Sequence, residues 1–206
     1  MIASEPGGVL VVCAANVCRS ATAEFALRSR FEAQHRIEGV RVASAGVRTA
    51  GAQRVCSRVA AFRGERSWQQ MASQHRPRQL DPNEVRGAAL IITATRELRS
   101  TVVAAVPECR SRVFTLREAV WLGAGYRRDP RLSPAESIAA FQQHIDGLRG
   151  LRPLPPVTRR RRWARPQLDP LDIQDGHGGR AARHEAAIRG ALAGADALAD
   201  LIAGRA

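Results

Sequence analysis

The stretch VLVVCAANVCRS, residues 9–20, constrains the chain more than any other. Its four leading apolar residues suit a buried parallel strand. A short loop follows, and then the helix-forming run from Thr22 to Gln34. A strand, a tight loop and a helix in that order put the loop at the carboxyl end of a sheet, where open α/β folds bind ligands. Further apolar runs, VRVAS at 40–44, ALIIT at 89–93 and VFTL at 113–116, alternate with helical segments at Arg54 to Arg63 and Glu97 to Val106. The alternation predicts an α/β layered domain around a parallel sheet.

Beyond residue 120 the pattern loosens. SPAESIAAFQQHIDGLRG opens as a capped helix, with Ser133 as N-cap, Pro134 at the first position and Glu136 two residues further on. The proline- and arginine-rich LRPLPPVTRRRRWARPQLDP, residues 151–170, reads as a loop or linker. Ala181 to Ile202 carries an apolar stripe and reads as a terminal helix packed on the sheet. The expectation is one domain over 1–206, with an insertion at about 121–170 and a C-terminal helix at about 180–203.

The chain carries 32 cationic and 19 acidic residues, a net charge of +13, and every cation is an arginine. An arginine- and alanine-rich composition is also what a GC-rich genome favours, so no nucleic-acid partner is expected from basicity alone. No run of 18 apolar residues exists to span a bilayer, and MIASEPGG lacks the positive start of a signal peptide, which predicts a cytoplasmic protein. Cys13, Cys18, Cys56 and Cys109 have neither zinc-ligand spacing nor the density of a disulfide-stapled domain. His35, His75, His144 and His184 are scattered, so no metal and no cofactor is expected.

The first loop carries the chemistry. Cys13 stands at the strand's end and Arg19 six positions later. The inward amides of such a loop, with the positive end of the following helix, make an anion nest suited to phosphate. That field favours the thiolate of a cysteine inside it. A guanidinium can grip two oxygens of a tetrahedral oxyanion and stabilise the charge spread over them. Together these groups are the minimum equipment for attack on a phosphate ester.

The pattern Cys-x5-Arg-Ser, set in VLVVCAANVCRSATAE, resembles the signature of the low-molecular-weight protein-tyrosine phosphatases, C-x-G-N-x-C-R-S-P. The resemblance continues in VASAGV at 42–47, similar to the family's SAG turn, and in HRPRQL at 75–80, LIITATRELR at 90–99 and RVFTLRE at 112–118. It implies a flavodoxin-like three-layer α/β fold with four parallel strands, and hydrolysis of phosphotyrosine or other aryl phosphates through a phosphocysteine, without metal. The implied partner is a phosphotyrosine-containing protein or a small aryl phosphate.

Carried over by position, Cys13 resembles the nucleophile and Arg19 the phosphate-binding arginine. Ala14, Ala15, Asn16, Val17 and Cys18 line the loop. Asn16 matches the residue that holds its shape, Ser20 the hydroxyl that supports the thiolate, and Ser44 the serine beside the asparagine. Cys18 resembles the neighbour that forms a reversible disulfide with the nucleophile under peroxide. Ala15 replaces the family glycine and Ala21 the proline. If that glycine needs a positive φ, Ala15 strains the loop by roughly 1 kcal/mol.

The family's general acid is the aspartate of a D-P-aromatic loop before the last helix, a place held here by LDIQDGHGG, residues 171–179. Asp175 is the expected acid, with Asp129, Asp172 and Asp169 as alternatives. Gly176 stands for the usual proline, and His177 for the aromatic wall of the substrate slot. Two rival functions remain: a non-catalytic phosphate or phosphopeptide binder, and an arsenate reductase. The second needs further cysteines after the third strand, and residues 93–106 contain none.

Overall fold

The computed structural model describes residues 7–34, 37–50, 53–153, 155 and 169–205. Strands β1 (Val9–Cys13), β2 (Val42–Gly46), β3 (Leu90–Thr93) and β4 (Val113–Thr115) form one parallel sheet in the order β2-β1-β3-β4. This is the order of a flavodoxin-like sheet, whose switch point lies between the first and third strands. All four strands fall on the apolar runs read from the sequence.

The helices are α1 (Arg19–Glu32), α2 (Ser57–Ala60), α3 (Arg66–Gln74), α4 (Pro82–Gly87), α5 (Arg96–Ala105), α6 (Leu116–Gly123), α7 (Pro134–Leu148) and α8 (Ala181–Ala203). A 3-10 turn, Pro107–Arg112, leads into β4.

Both faces of the sheet are covered, so the strands are apolar throughout, yet their side chains still alternate. Val9, Val11, Leu90, Ile92 and Phe114 pack with Phe25 and Leu27 of α1, Phe141 of α7 and Ile188, Leu198 and Ile202 of α8. Leu10, Val12, Ile91 and Val113 pack on the opposite side with Val85 of α4, Val102 of α5 and Cys109.

Helix α7 begins as the sequence reading expects: Ser133 Oγ accepts from Glu136 N, and the Glu136 side chain accepts from Ser133 N. The segment from Arg54 to Arg63 is a correction, because only the single turn Ser57–Ala60 is helical. The chain there is claimed from outside: Cys56 N donates to Val17 O, Trp68 Nε1 to Val59 O, and the Gln69 amide to the carbonyls of Ala60 and Arg63. Carbonyls turned toward α3 cannot continue a helix of their own. The RRRR run at 159–162 and Trp163 lie outside the described residues.

Candidate active site

The loop between β1 and α1 sits at the carboxyl end of the sheet, at the switch point. Its shape depends on Asn16, the only non-glycine residue with positive φ (58°) among the described residues. Asparagine tolerates this left-handed backbone better than most side chains. The strain expected at Ala15 is therefore absent, since φ there is not positive. The neighbouring Gly46 is required by close approach, because a Cβ on it would meet Ala14 O at 2.7 Å and Ala15 C at 2.9 Å.

Every polar group of Asn16 is used. Its Nδ2 donates to Ser20 Oγ at 2.9 Å and to Ser44 Oγ at 2.7 Å, while Oδ1 accepts from Arg78 N at 3.1 Å. Its carbonyl oxygen accepts from His75 Nε2 at 2.8 Å, and its N–H donates to Cys13 Sγ at 3.3 Å. The arrangement has a direction. Each serine oxygen already accepts from Asn16, so each hydroxyl hydrogen is free to point elsewhere. Ser44 donates to Glu24 Oε2 at 2.5 Å, and Ser20 is left facing Cys13 Sγ at 3.0 Å. Donors from Ser20 and the Asn16 amide therefore converge on Cys13.

Arg19 is the first residue of α1 and is 5% exposed. Its Nη1 donates to Ile173 O at 3.1 Å and its Nη2 to Asp175 Oδ2 at 2.6 Å. The fold thus brings Asp175 to the loop. The other carboxylates are occupied elsewhere. Asp172 Oδ1 accepts from Arg96 N at the start of α5, and Asp169 pairs with the Arg96 side chain. Asp129, between α6 and α7, is bound by Arg131, which holds its carboxyl down at about 2.

The loop that carries Asp175 is closed by contacts the sequence does not announce. His177 N donates to Asp175 Oδ1 at 2.9 Å. A Cβ on Gly176 would meet Arg183 O at 2.4 Å and His184 Cα at 2.5 Å, so the loop reaches the first turn of α8 only because this residue is glycine. The departure from proline follows from that packing. His177 is exposed and meets the His184 ring edge to face, with centroids 5.2 Å apart.

Cys18, the N-cap residue of α1, is buried, and burial first, with Cys56 and Cys13 adding, pushes its thiol up to about 12. Its Sγ lies 3.4 Å from His184 Nε2, and Cys56 Sγ lies 3.3 Å from the same nitrogen. Burial first, then His177 and Arg58, pulls His184 below the ordinary imidazole range. Cysteines and histidines that look scattered in sequence are neighbours here. Cys109 is buried on the opposite face of the sheet. Glu24 and His75 were not singled out for the site; the HRPRQL stretch, which begins at His75, was the one available signal.

Residues 8–146 match the family model described as low molecular weight phosphotyrosine protein phosphatase. The protein-arginine-phosphatase of Geobacillus stearothermophilus is 27% identical over 143 residues, 69% of this chain and 91% of its own. Among solved structures, a protein tyrosine phosphatase from Entamoeba histolytica, with Hepes in its active site, aligns with a TM-score of 0.57 at 14% identity over 93% of each chain. The tyrosine phosphatase Wzb from Escherichia coli K30 aligns at a TM-score of 0.46 and 22% identity, over 68% of this chain and 92% of its own. Asp175 and α8 lie beyond the residues matched by the family model, and the Entamoeba likeness carries the fold across nearly the whole chain. No helix among the described residues is long and apolar enough to cross a membrane.

Proposed function

The chain belongs to the low-molecular-weight phosphotyrosine protein phosphatase family, and on that premise we propose that it hydrolyses phosphotyrosine through a phosphoenzyme at Cys13. The observation that carries this reading is the meeting of Arg19 with Asp175 at 2.6 Å beside a cysteine that faces two hydrogen-bond donors. Nucleophile, charge clamp and acid are then within one site.

In the first step Cys13 Sγ attacks phosphorus and a P–S bond forms as the bond to the phenolic oxygen breaks. Arg19 and the loop amides stabilise the equatorial oxygens. Protonated Asp175 gives its proton to the leaving oxygen. In the second step the Asp175 carboxylate takes a proton from water, whose oxygen attacks phosphorus. The P–S bond breaks, phosphate leaves and the Cys13 thiolate returns. Arg19 must exchange part of its hold on Asp175 for the phosphoryl oxygens, which frees the carboxyl for its proton. Asn16, Ser20 and Ser44 act as positioning residues, and His177 borders the mouth.

A second reading, hydrolysis of phosphoarginine, is favoured by the name of the Geobacillus relative. Phosphotyrosine is preferred because the family model that residues 8–146 match is described as a phosphotyrosine protein phosphatase. Ala15, Gly176 and His177 are the departures from the family pattern that speak for a non-catalytic binder, and the backbone accommodates the first two.

The test is kcat/KM on one peptide carrying either phosphotyrosine or phosphoarginine. The proposal expects the tyrosine form to be the better substrate, with Cys13→Ser inactive on both. Preference for phosphoarginine would replace the substrate. A folded protein that turns over neither, like Cys13→Ser, would leave only the binding role.

A further inference from the structure

Four potential soft-metal ligands that are far apart in sequence converge behind the loop. Cys18 caps α1, Cys56 caps α2, His184 lies in the first turn of α8 and His177 in the acid loop. The nearest ligand atoms of Cys56, His177 and His184 all lie within 4.8 Å of one another, and Cys18, outside that trio, adjoins it through His184. Cys18 Sγ and Cys56 Sγ approach the same atom, His184 Nε2, at 3.4 and 3.3 Å. Cys18, Cys56 and His184 are buried, and His177 is exposed on the outer side.

From this convergence we propose that Cys18, Cys56, His177 and His184 form a tetrahedral zinc site that staples the acid loop to the phosphate-binding loop. Hydrogen bonding accounts poorly for the cluster. A ring nitrogen has one lone pair or one hydrogen in its plane, and it cannot make full bonds to two sulfurs at once. A cation between the three atoms satisfies all of them. With Zn–S near 2.3 Å and Zn–N near 2.0 Å, two ligands at a tetrahedral angle stand about 3.5 Å apart. The two sulfur–nitrogen distances fall close to this.

The donor set selects the ion. Two thiolates and two imidazoles suit zinc, whereas magnesium and calcium take oxygen donors. The two thiolates neutralise the dication, so the site adds no net charge beside the positive loop. On binding, each cysteine thiol releases its proton to solvent and forms a Zn–S bond, with no change in oxidation state. The exposed imidazole of His177 is the side from which the ion enters.

The consequence is mechanical as well as chemical. Cys18 and His184 are 166 residues apart, and Cys56 and His184 128 apart. One ion would bind the end of the phosphate loop, the turn at α2, the acid loop and the start of α8 into one unit. That holds Asp175 in reach of Arg19. It also occupies Cys18, so zinc and the peroxide-induced Cys13–Cys18 disulfide exclude each other. The proposal requires no turnover at Cys13, so its test is independent of the proposed phosphatase activity.

Untagged full-length protein, made in zinc-supplemented medium and freed of loose metal by gel filtration, should retain about one zinc per chain by elemental analysis. Cys13→Ser should retain the same amount, while Cys56→Ser and His184→Ala fall to background. Cobalt(II) added to zinc-free wild-type and Cys13→Ser proteins should give the visible bands of tetrahedral coordination and thiolate charge transfer, absent from Cys56→Ser. The wild-type and Cys13→Ser spectra decide the matter even if a ligand variant fails to fold. Folded wild-type protein that retains no zinc and gives no tetrahedral cobalt spectrum overturns the proposal. So does zinc lost from Cys13→Ser but kept by Cys56→Ser, or a Cys18–Cys56 disulfide in freshly reduced protein.

Discussion

Arg19 Nη2 donates to Asp175 Oδ2 at 2.6 Å, joining residues 156 positions apart in the chain. Arg19 is buried and the Asp175 side chain is half exposed, so the pair couples a fixed cation to a group that can face a substrate. In the proposed mechanism, that position gives Asp175 the freedom a general acid needs and a tether to the phosphate-binding arginine.

Asp175→Asn is expected to slow turnover by about 10²- to 10⁴-fold on substrates with poor leaving groups and far less on good ones. A series of aryl phosphates of graded phenol acidity measures this. Asp129→Asn should leave the dependence unchanged, because its partner Arg131 is engaged away from the loop. Equal loss across the series in Asp175→Asn would remove that residue from the acid's role.

Asn16 combines two roles that two variants separate. Asn16→Ala puts an alanine in left-handed backbone, a cost of about 1 to 2 kcal/mol, and leaves the buried partners of the amide unsatisfied for a further ~1 to 3 kcal/mol. Asn16→Gly relieves only the backbone and should be about 1 kcal/mol less destabilised. Denaturant unfolding reports both. Equal stability of the two variants would mean that backbone strain at this position is unimportant.

Gly176→Ala should displace the acid loop from α8, since its Cβ would press on backbone atoms that cannot yield cheaply. Phosphate should still bind to the loop around Cys13 with little change, while kcat on poor leaving groups falls. Phosphate inhibition constants and the aryl phosphate series separate the two. A variant with unchanged kcat would show that the close approach is unnecessary for catalysis.

Ser133→Ala is a control far from the chemistry. Losing the capping box of α7 should cost about 1 kcal/mol of stability and leave kcat/KM unaltered. Thermal unfolding and a single kinetic assay check it. A matching loss of activity would tie α7 to the site.

What the sequence reveals depends on whether a feature is local. The four strands were legible because each is a short continuous apolar run buried on both faces, and the loop because Cys13, Asn16, Arg19 and Ser20 lie within eight residues. Ser133 was legible because a capping box is completed within four residues. Asp175 was singled out only by its place relative to the last helix. The turn at α2 was misjudged because side chains of α3 take its carbonyls, which no local pattern records. The strain expected at Ala15 belonged one residue on, at Asn16, where the side chain suits it. Cys56 and His184 looked inert because 128 residues separate them, and only the packing of α8 on α1 makes them neighbours. Glu24, which fixes the Ser44 hydroxyl from inside α1, sits in the sequence as one more helical acid.

The most direct test of the account is the identity of the phosphorylated residue. Asp175→Asn protein mixed rapidly with an aryl phosphate of good leaving group, quenched and digested, should carry one phosphoryl group on the peptide containing Cys13. A burst of phenol equal to the enzyme present should accompany it. Cys13→Ser should show neither burst nor turnover. Steady hydrolysis without a burst, or a phosphoryl group on any other side chain, would contradict the assignment of Cys13 as nucleophile and with it the mechanism built on Arg19 and Asp175.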